Sequence, residues 1–463
     1  MSLKYITSVF FVGVGGIGMS ALARYFNISG KNVFGYDQTS TALTDKLIKE
    51  GIQITFSDDI SSIDSKLLDS GETNKLLVVY TPAISYSNKI LSAFDKIEGM
   101  LVMKRAEVLE AITKDKFTIA VGGTHGKTTV TSIIAHILKE SGKDLSAFVG
   151  GILTDYETNY LSSGNSSVML VEADEYDRSF HKLTPDLAVI TSIDHDHMDV
   201  YEDFGSMKES FVEFASNIVE GGTLIVQERV SRLFENSSAI VESYSLAQSA
   251  KYFADNIRIE NDCFVFDFVS EEHKIMDITI GMAGRHNVEN AVVAIAVALK
   301  QSVDQKEIKK ALAQFQGIKR RFEVHIKTSA LVYIDDYAHH PKEIDACISA
   351  IKELYPDKKI TGVFQPHLYS RTKDFAKAFA VSLDALDEVF LLNIYPAREK
   401  PIEGVSSNMI LDKMHLREKS IVKKDNLIDE LLHSDVEVLV TMGAGDIDKM
   451  VIPIRETLLR ATE

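Results

Sequence analysis

The chain has 463 residues, 45% of them hydrophobic and 25% charged, a balance typical of folded globular proteins and enough for roughly three domains at about 150 residues each. Its formal net charge of −17 argues against nonspecific binding to nucleic acid or an anionic membrane, although backbone amides and a few cations still create local anion sites. Two cysteines, Cys263 and Cys347, are too few for a disulfide framework and fit thiols in a reducing compartment.

The N-terminal stretch imitates a secretory signal, with Lys4 ahead of an apolar run and Ala21-Leu22-Ala23 in place of a cleavage site. Gly13, Gly15, Gly16 and Gly18 interrupt that run, so it reads instead as a strand at 9–12, a glycine turn and a helix from about Gly18, followed by a strand at 32–36. No apolar run reaches the ~18 residues of a membrane-spanning helix. Residues 13–18 match GxGxxG, and Asp37 ends the next strand. That spacing offers backbone N–H groups to a diphosphate and a carboxylate to a ribose, which suits NAD, FAD or a UDP-sugar alike.

A second βα unit begins with a strand at 117–121, turns through GGTHGKTT and continues as a helix at 128–140. Glycines allow backbone amides to close around a triphosphate, and the helix N-terminus adds positive potential. The candidate cradle is Gly123, Thr124, His125, Gly126, Lys127, Thr128 and Thr129. Lys127 is placed to reach the β- and γ-phosphates and the Thr128 hydroxyl to ligate Mg²⁺. Val121 stands where the standard P-loop has its first glycine, so the loop is a shortened GxxGKT. Lys127, read as an exposed loop lysine, is expected to be removable without loss of folding.

Two further apolar strands follow, at 167–171 and 187–193. The first ends in Glu172-Ala173-Asp174-Glu175 and the second in Asp194-His195-Asp196-His197-Met198-Asp199. An acidic residue at the end of a buried strand is where P-loop proteins hold Mg²⁺, and open α/β sheets bind ligands at the carboxyl ends of their strands. Histidine is an unusual Mg²⁺ ligand; by itself the His/Asp segment also fits a solvated loop. A third βα unit has a strand at 331–334, the turn DDYAHHP and a helix after Pro341, whose fixed φ suits a first helical turn. Seams near 113–116 and 317–321 divide the chain into 1–114, 115–318 and 319–463. The alternation of strands and helices predicts an α/β fold with largely parallel sheets.

Taken in order, GVGGIGMSALA, GGTHGKTT, VEADEYD, DHDHMD, GRHNVENA, GIKRRF, DDYAHHP, FQPHLYSRT, YPAREKPIEGV and GAGD resemble the motifs of the Mur ligase family from Gly13 to Asp446. The resemblance implies three domains: a Rossmann-like UDP-sugar-binding domain, a central P-loop-type ATPase domain, and a Rossmann-like C-terminal domain for the amino acid. It implies a cytoplasmic, ATP- and Mg²⁺-dependent ligase, monomeric or homodimeric, that joins L-alanine to UDP-N-acetylmuramate through an acyl phosphate in peptidoglycan precursor synthesis.

By the same resemblance Gly15, Gly16, Gly18 and Asp37 contact the UDP part. Thr128, Glu172 and His197 complete the metal sites, and His286, Asn287 and Asn290 line the adenine pocket. Arg321 and Asp336 bring the C-terminal domain onto ATP, while Tyr337, His339, His367 and Arg371 surround the amino acid. His339 is the candidate base for the incoming amine.

Local roles compete with these. Asn287 and Asn290 also fit helix capping, Arg320 and Arg321 a solvated pair, and His339 and His340 a simple turn. Two positions depart from the family pattern: Tyr176 replaces the serine of EADESD, and Leu368 the second basic residue of FQPHRYSRT. The activities left open are a recycling ligase that adds a tripeptide to the same nucleotide sugar, an NAD-dependent oxidoreductase, and an ATP-driven switch.

Overall fold

The computed structural model describes residues 3–68, 75–85, 87–164, 166–176, 178–194, 201–397 and 399–462. It divides into two compact units, one of residues 1–256, 266–278 and 289–315, the other of 257–265, 279–288 and 316–463.

The first unit contains a five-stranded sheet in the order Gln53–Thr55, Asn32–Tyr36, Ser8–Val12, Leu76–Tyr80, Leu101–Lys104, with every pairing parallel. Val9, Phe11, Val12, Leu77, Val78 and Val79 are fully buried, as expected of parallel strands covered on both faces. The helix Ile17–Ile28 follows the glycine turn, its side toward the core carrying Met19, Ala21, Leu22, Ala23 and Phe26. The strand and helix expected here are therefore present, the helix starting one residue earlier.

Seven strands of a ten-stranded sheet also lie in this unit, in the order Ile240–Ser245, Thr223–Gln227, Leu187–Ile190, Phe117–Gly122, Val168–Glu172, Leu145–Leu153, Thr158–Ser162. All of these pair in parallel except the last two. The sheet continues past Ile240–Ser245 with Tyr252–Glu260, Cys263–Val269 and Lys274–Ile280. Ile119, Ala120, Val121, Leu170, Val171, Val189 and Ile190 are completely buried at its centre. The strand expected to run to Ile193 stops at Ile190, because Thr191 and Ser192 turn away to bond the neighbouring loop.

The second unit is built on a six-stranded sheet in the order Glu323–Lys327, Val332–Asp336, Val438–Met442, Ile360–Phe364, Glu388–Leu391, Lys419–Ile421. Only the first pair is antiparallel. The helix Pro341–Leu354 begins at Pro341, with His340 and Glu343 forming a reciprocal cap, as the Pro signal indicated. Cys347 is buried and Cys263 partly so, and both are free thiols. Among the described residues no helix is long and apolar enough to cross a membrane.

Candidate active site

The loop between Phe117–Gly122 and the helix Lys127–Glu140 is built for close approach. Gly126 caps the helix at φ +84°, in the left-handed region that glycine adopts without a Cβ penalty. Gly123 has φ +132°, and a Cβ there would meet the Thr191 hydroxyl at 2.1 Å. The loop is braced from the next strand. Thr124 N–H donates to the Ser192 carbonyl at 3.0 Å, His125 N–H donates to Ser192 Oγ at 3.0 Å, and the Thr191 hydroxyl donates to the His125 carbonyl. Asp194 N–H closes the set on Thr124 Oγ1 at 3.1 Å.

Lys127, the first residue of the helix, folds back over the loop. Its Nζ donates to the Gly123 carbonyl at 2.6 Å and to Glu175 Oε1 at 2.8 Å. The lysine side chain is 14% exposed and that of Glu175 not at all, so the expected exposed lysine is instead half of a buried ion pair. Burial works against its charge, but Glu175, with Asp174 and Glu172, more than offsets this and holds the ammonium above the usual lysine range. Thr128 donates to Glu172 Oε1 at 3.1 Å, while Gly150 N–H donates to Glu172 Oε2 at 2.9 Å. Burial raises the Glu172 pKa, with Lys127 opposing. Both Glu172 oxygens are thus aimed by neighbours, as an ordered metal ligand requires. A Cβ at Gly150 would stand 2.2 Å from Glu172 Oε2, so only glycine permits this approach. His197, the remaining expected metal ligand, lies outside the described residues. Asn290 is buried with its Oδ1 facing Gly126.

At the first glycine turn, Gly15 N–H donates to Asp37 Oδ2 at 2.7 Å, and Thr39 N–H donates to Asp37 Oδ1 at 3.3 Å. Asp37 therefore closes the turn itself. Gly18 lies against Arg105, whose Nη1 would sit 2.4 Å from an added Cβ.

The second unit gathers another set. Asp336 accepts from Phe322 N–H at 2.8 Å and from Ala338 N–H at 2.7 Å, and burial pushes its carboxyl up to about 6, against the pull of Arg321. Arg320 and Arg321 both lie over the Tyr337 ring, at 5.4 and 5.2 Å, rather than forming a solvated pair. Glu343 accepts from His339 N–H at 3.0 Å and from His340 N–H at 3.3 Å, and it faces His339 Nδ1 at 3.2 Å and Arg321 at 3.9 Å. The His339 and His367 rings lie 6.2 Å apart, and His367 stacks on Tyr395 at 5.8 Å. Burial lowers the pKa of His339 against the pull of Glu343, with Arg371 adding to the shift, a direction that favours the neutral imidazole a base requires. Leu368 takes φ +68° just before the helix Tyr369–Leu383, which carries Arg371 in its first turn. His286 is solvent-exposed, while Asn287 is buried and donates from Nδ2 to the Ala283 carbonyl at 2.7 Å. Glu323, His325 and Asp335 bring metal-type donors within 4.8 Å of one another, yet Asp335 already pairs with Arg320 at 3.0 Å, which supplies the counter-charge there.

The reading from sequence passed over Glu175, Thr191, Ser192, Gly150 and Glu343 as individual residues. Glu175 was within the quoted motif VEADEYD, and Glu343 stands two residues past DDYAHHP. Gly150 and Thr191 carry no local signal, because their roles depend on partners far away in the chain.

Three family models match successive stretches of the chain. Residues 8–117 match the model described as Mur ligase family, catalytic domain, residues 121–298 the Mur ligase middle domain, and residues 320–445 the Mur ligase, glutamate ligase domain. A UDP-N-acetylmuramate–L-alanine ligase of Parabacteroides distasonis is 47% identical, covering 99% of both chains. A ligase of the same name from Flavobacterium psychrophilum is 48% identical with the same coverage. Among solved structures, the UDP-N-acetylmuramate–alanine ligase of Thermotoga maritima superposes with a TM-score of 0.80 at 27% identity, over 98% of this chain and 100% of that one. A murein peptide ligase of Psychrobacter arcticus shares the fold, with a TM-score of 0.68 at 22% identity over 98% of each chain. The chain belongs to the Mur ligase family.

Proposed function

We propose that this protein is an ATP-dependent ligase that joins L-alanine to UDP-N-acetylmuramate, in the cytoplasm, as a step of peptidoglycan precursor synthesis. The observation that carries this is the identity of 47–48% over 99% of both chains to ligases of that name. The recycling ligase is the weaker reading, since the relatives 47–48% identical over 99% of both chains bear the alanine ligase's name. Nothing in the Lys127, Thr128 and Glu172 set calls for hydride transfer, and the oxidoreductase reading falls with it. The proposed domains are 1–114, 115–318 and 319–463.

A carboxylate resists attack by an amine, so the acceptor carboxyl is first converted to an acyl phosphate with the γ-phosphoryl group of ATP, and the amine of L-alanine then displaces phosphate. Gly123 and Gly126 leave space that a Cβ would fill, and Thr128 with Glu172 presents hard oxygen donors. These fit a triphosphate with Mg²⁺. Lys127 offsets charge on the transferring oxygens; a bound Mg²⁺ supplies further offset there. We assign the rest of the loop (Gly123 to Thr129) to the triphosphate, with His286, Asn287 and Asn290 toward adenine and Arg321 and Asp336 toward ATP. Gly15, Gly16, Gly18 and Asp37 serve the UDP part. Tyr337, His367 and Arg371 hold L-alanine, and His339 takes the amine proton. The experiment is ADP release with UDP-N-acetylmuramate and each candidate acceptor in turn. L-alanine supports release, and the tripeptide does not. Release with the tripeptide alone overturns the assignment.

A further inference from the structure

Beside the phosphate loop lies a cavity of about 110 Å³. It is lined by Gly18, Ala21 and Leu22 of the helix Ile17–Ile28 and by Phe148, Glu172 and Arg105. Glu172 is the residue this cavity shares with the phosphate loop, through its bond to Thr128.

Arg105 is the cation among the residues that line the cavity. It begins the helix Arg105–Thr113, lies against the backbone of Gly18, and pairs with Asp174 at 3.2 Å. The side chains are 23% and 39% exposed, and an ion pair that open to water exchanges partners at little cost. A guanidinium fork matches a carboxylate with two charge-assisted hydrogen bonds.

We propose that Arg105 is a substrate-binding residue: it leaves Asp174 and holds the carboxylate of the nucleotide sugar, presenting it to the Glu172 end of the phosphate loop. This rests on the nucleotide-sugar ligase reading above. That carboxylate must come to the γ-phosphate, and the cavity reaches the loop at Glu172. Two acidic side chains, Glu172 and Asp174, line the cavity and would repel a carboxylate unless a cation accompanies it. Ala21, Leu22 and Phe148 give an apolar wall suited to the methyl group of a lactyl ether.

The test is calorimetric binding of two ligands, UDP-N-acetylmuramate and UDP-N-acetylglucosamine, the second lacking the lactyl carboxylate. Binding is measured on the full-length protein and on Arg105→Met, Arg105→Lys and Asp174→Asn, each checked for folding by circular dichroism. Arg105→Met weakens UDP-N-acetylmuramate by about tenfold or more and leaves UDP-N-acetylglucosamine within about twofold. Arg105→Lys recovers part of the loss. Asp174→Asn, which frees the guanidinium, tightens the first ligand only. In turnover, Arg105→Met raises the KM for the nucleotide sugar and not that for ATP. Equal losses for both ligands would place Arg105 on the diphosphate and overturn the proposal, as would no loss for either. A wild-type protein that binds neither nucleotide sugar overturns the ligase reading itself, and the proposal with it.

Discussion

Lys127 Nζ lies 2.8 Å from Glu175 Oε1, and the glutamate is fully buried. The lysine neutralises a carboxylate the fold has taken out of water, besides the role at the phosphates proposed for it above. Lys127→Ala is expected to lower turnover by about 10²–10³ or more and to destabilise the first unit by about 3–5 kcal/mol, since it strands a buried charge. Lys127→Ala with Glu175→Gln recovers much of that stability and none of the activity. Urea unfolding and ADP release on the three proteins check this. A single mutant as stable as the wild type contradicts the buried-pair account.

Gly150 and Glu172 act as one device. Glu172→Ala removes an aimed oxygen pair, and Gly150→Ala places a methyl group where Glu172 Oε2 stands, 2.2 Å from the new Cβ. Both substitutions are expected to raise the Mg²⁺ concentration for half-maximal rate, by about 10- to 100-fold. A Mg²⁺ titration of the rate decides. Unchanged dependence in both variants removes Glu172 from the metal site.

What the sequence made legible follows from the range of the forces involved. Strands such as Phe117–Gly122 and Val332–Asp336 announce themselves through uninterrupted apolar runs, and the turns after them through glycine and proline, all local signals. Lys127 and Glu172 were readable because each stands at a fixed place relative to such an element. Gly150 was not, because its constraint is a carboxylate 22 residues away. Thr191 was absorbed into a strand because its apolar neighbours hid a hydroxyl that bonds back to Gly122. Asp37 sits at the strand end where spacing put it, but its bond to Gly15 came from the fold of the turn.

Burial, then His339 and Arg371, pushes the His367 imidazole down to about 4, and His339 shifts in the same direction. A folded-state pKa below the unfolded one favours the neutral form in the fold. The associated stability is full above about pH 6.5 and is lost as the pH falls toward 4, on the order of 1–2 kcal/mol for a partly exposed ring. His367→Phe keeps a ring against Tyr395 and removes the titration. Its melting temperature is expected to fall less than that of the wild type between about pH 7 and pH 5. Parallel falls in the two proteins contradict the assignment.

Arg371, in the first turn of Tyr369–Leu383, depresses both His339 and His367 and so faces that pair. Arg371→Ala is expected to raise the KM for L-alanine by about 10-fold or more, with the KM for ATP nearly unchanged. Arg371→Lys recovers part of it, because a point charge does not reproduce the fork. Initial rates against each substrate separate the outcomes. A rise in the ATP value alone moves Arg371 to the nucleotide.

The central claim is that this chain activates a sugar-nucleotide carboxylate as an acyl phosphate before the amine arrives. The direct measurement uses UDP-N-acetylmuramate labelled with heavy oxygen in its lactyl carboxylate, turned over with ATP and L-alanine, with the released phosphate analysed by mass spectrometry. The account predicts one labelled oxygen in each phosphate, because the bond that breaks when the amide forms is the one between the acyl carbon and that oxygen. Amide product accompanied by unlabelled phosphate would contradict it.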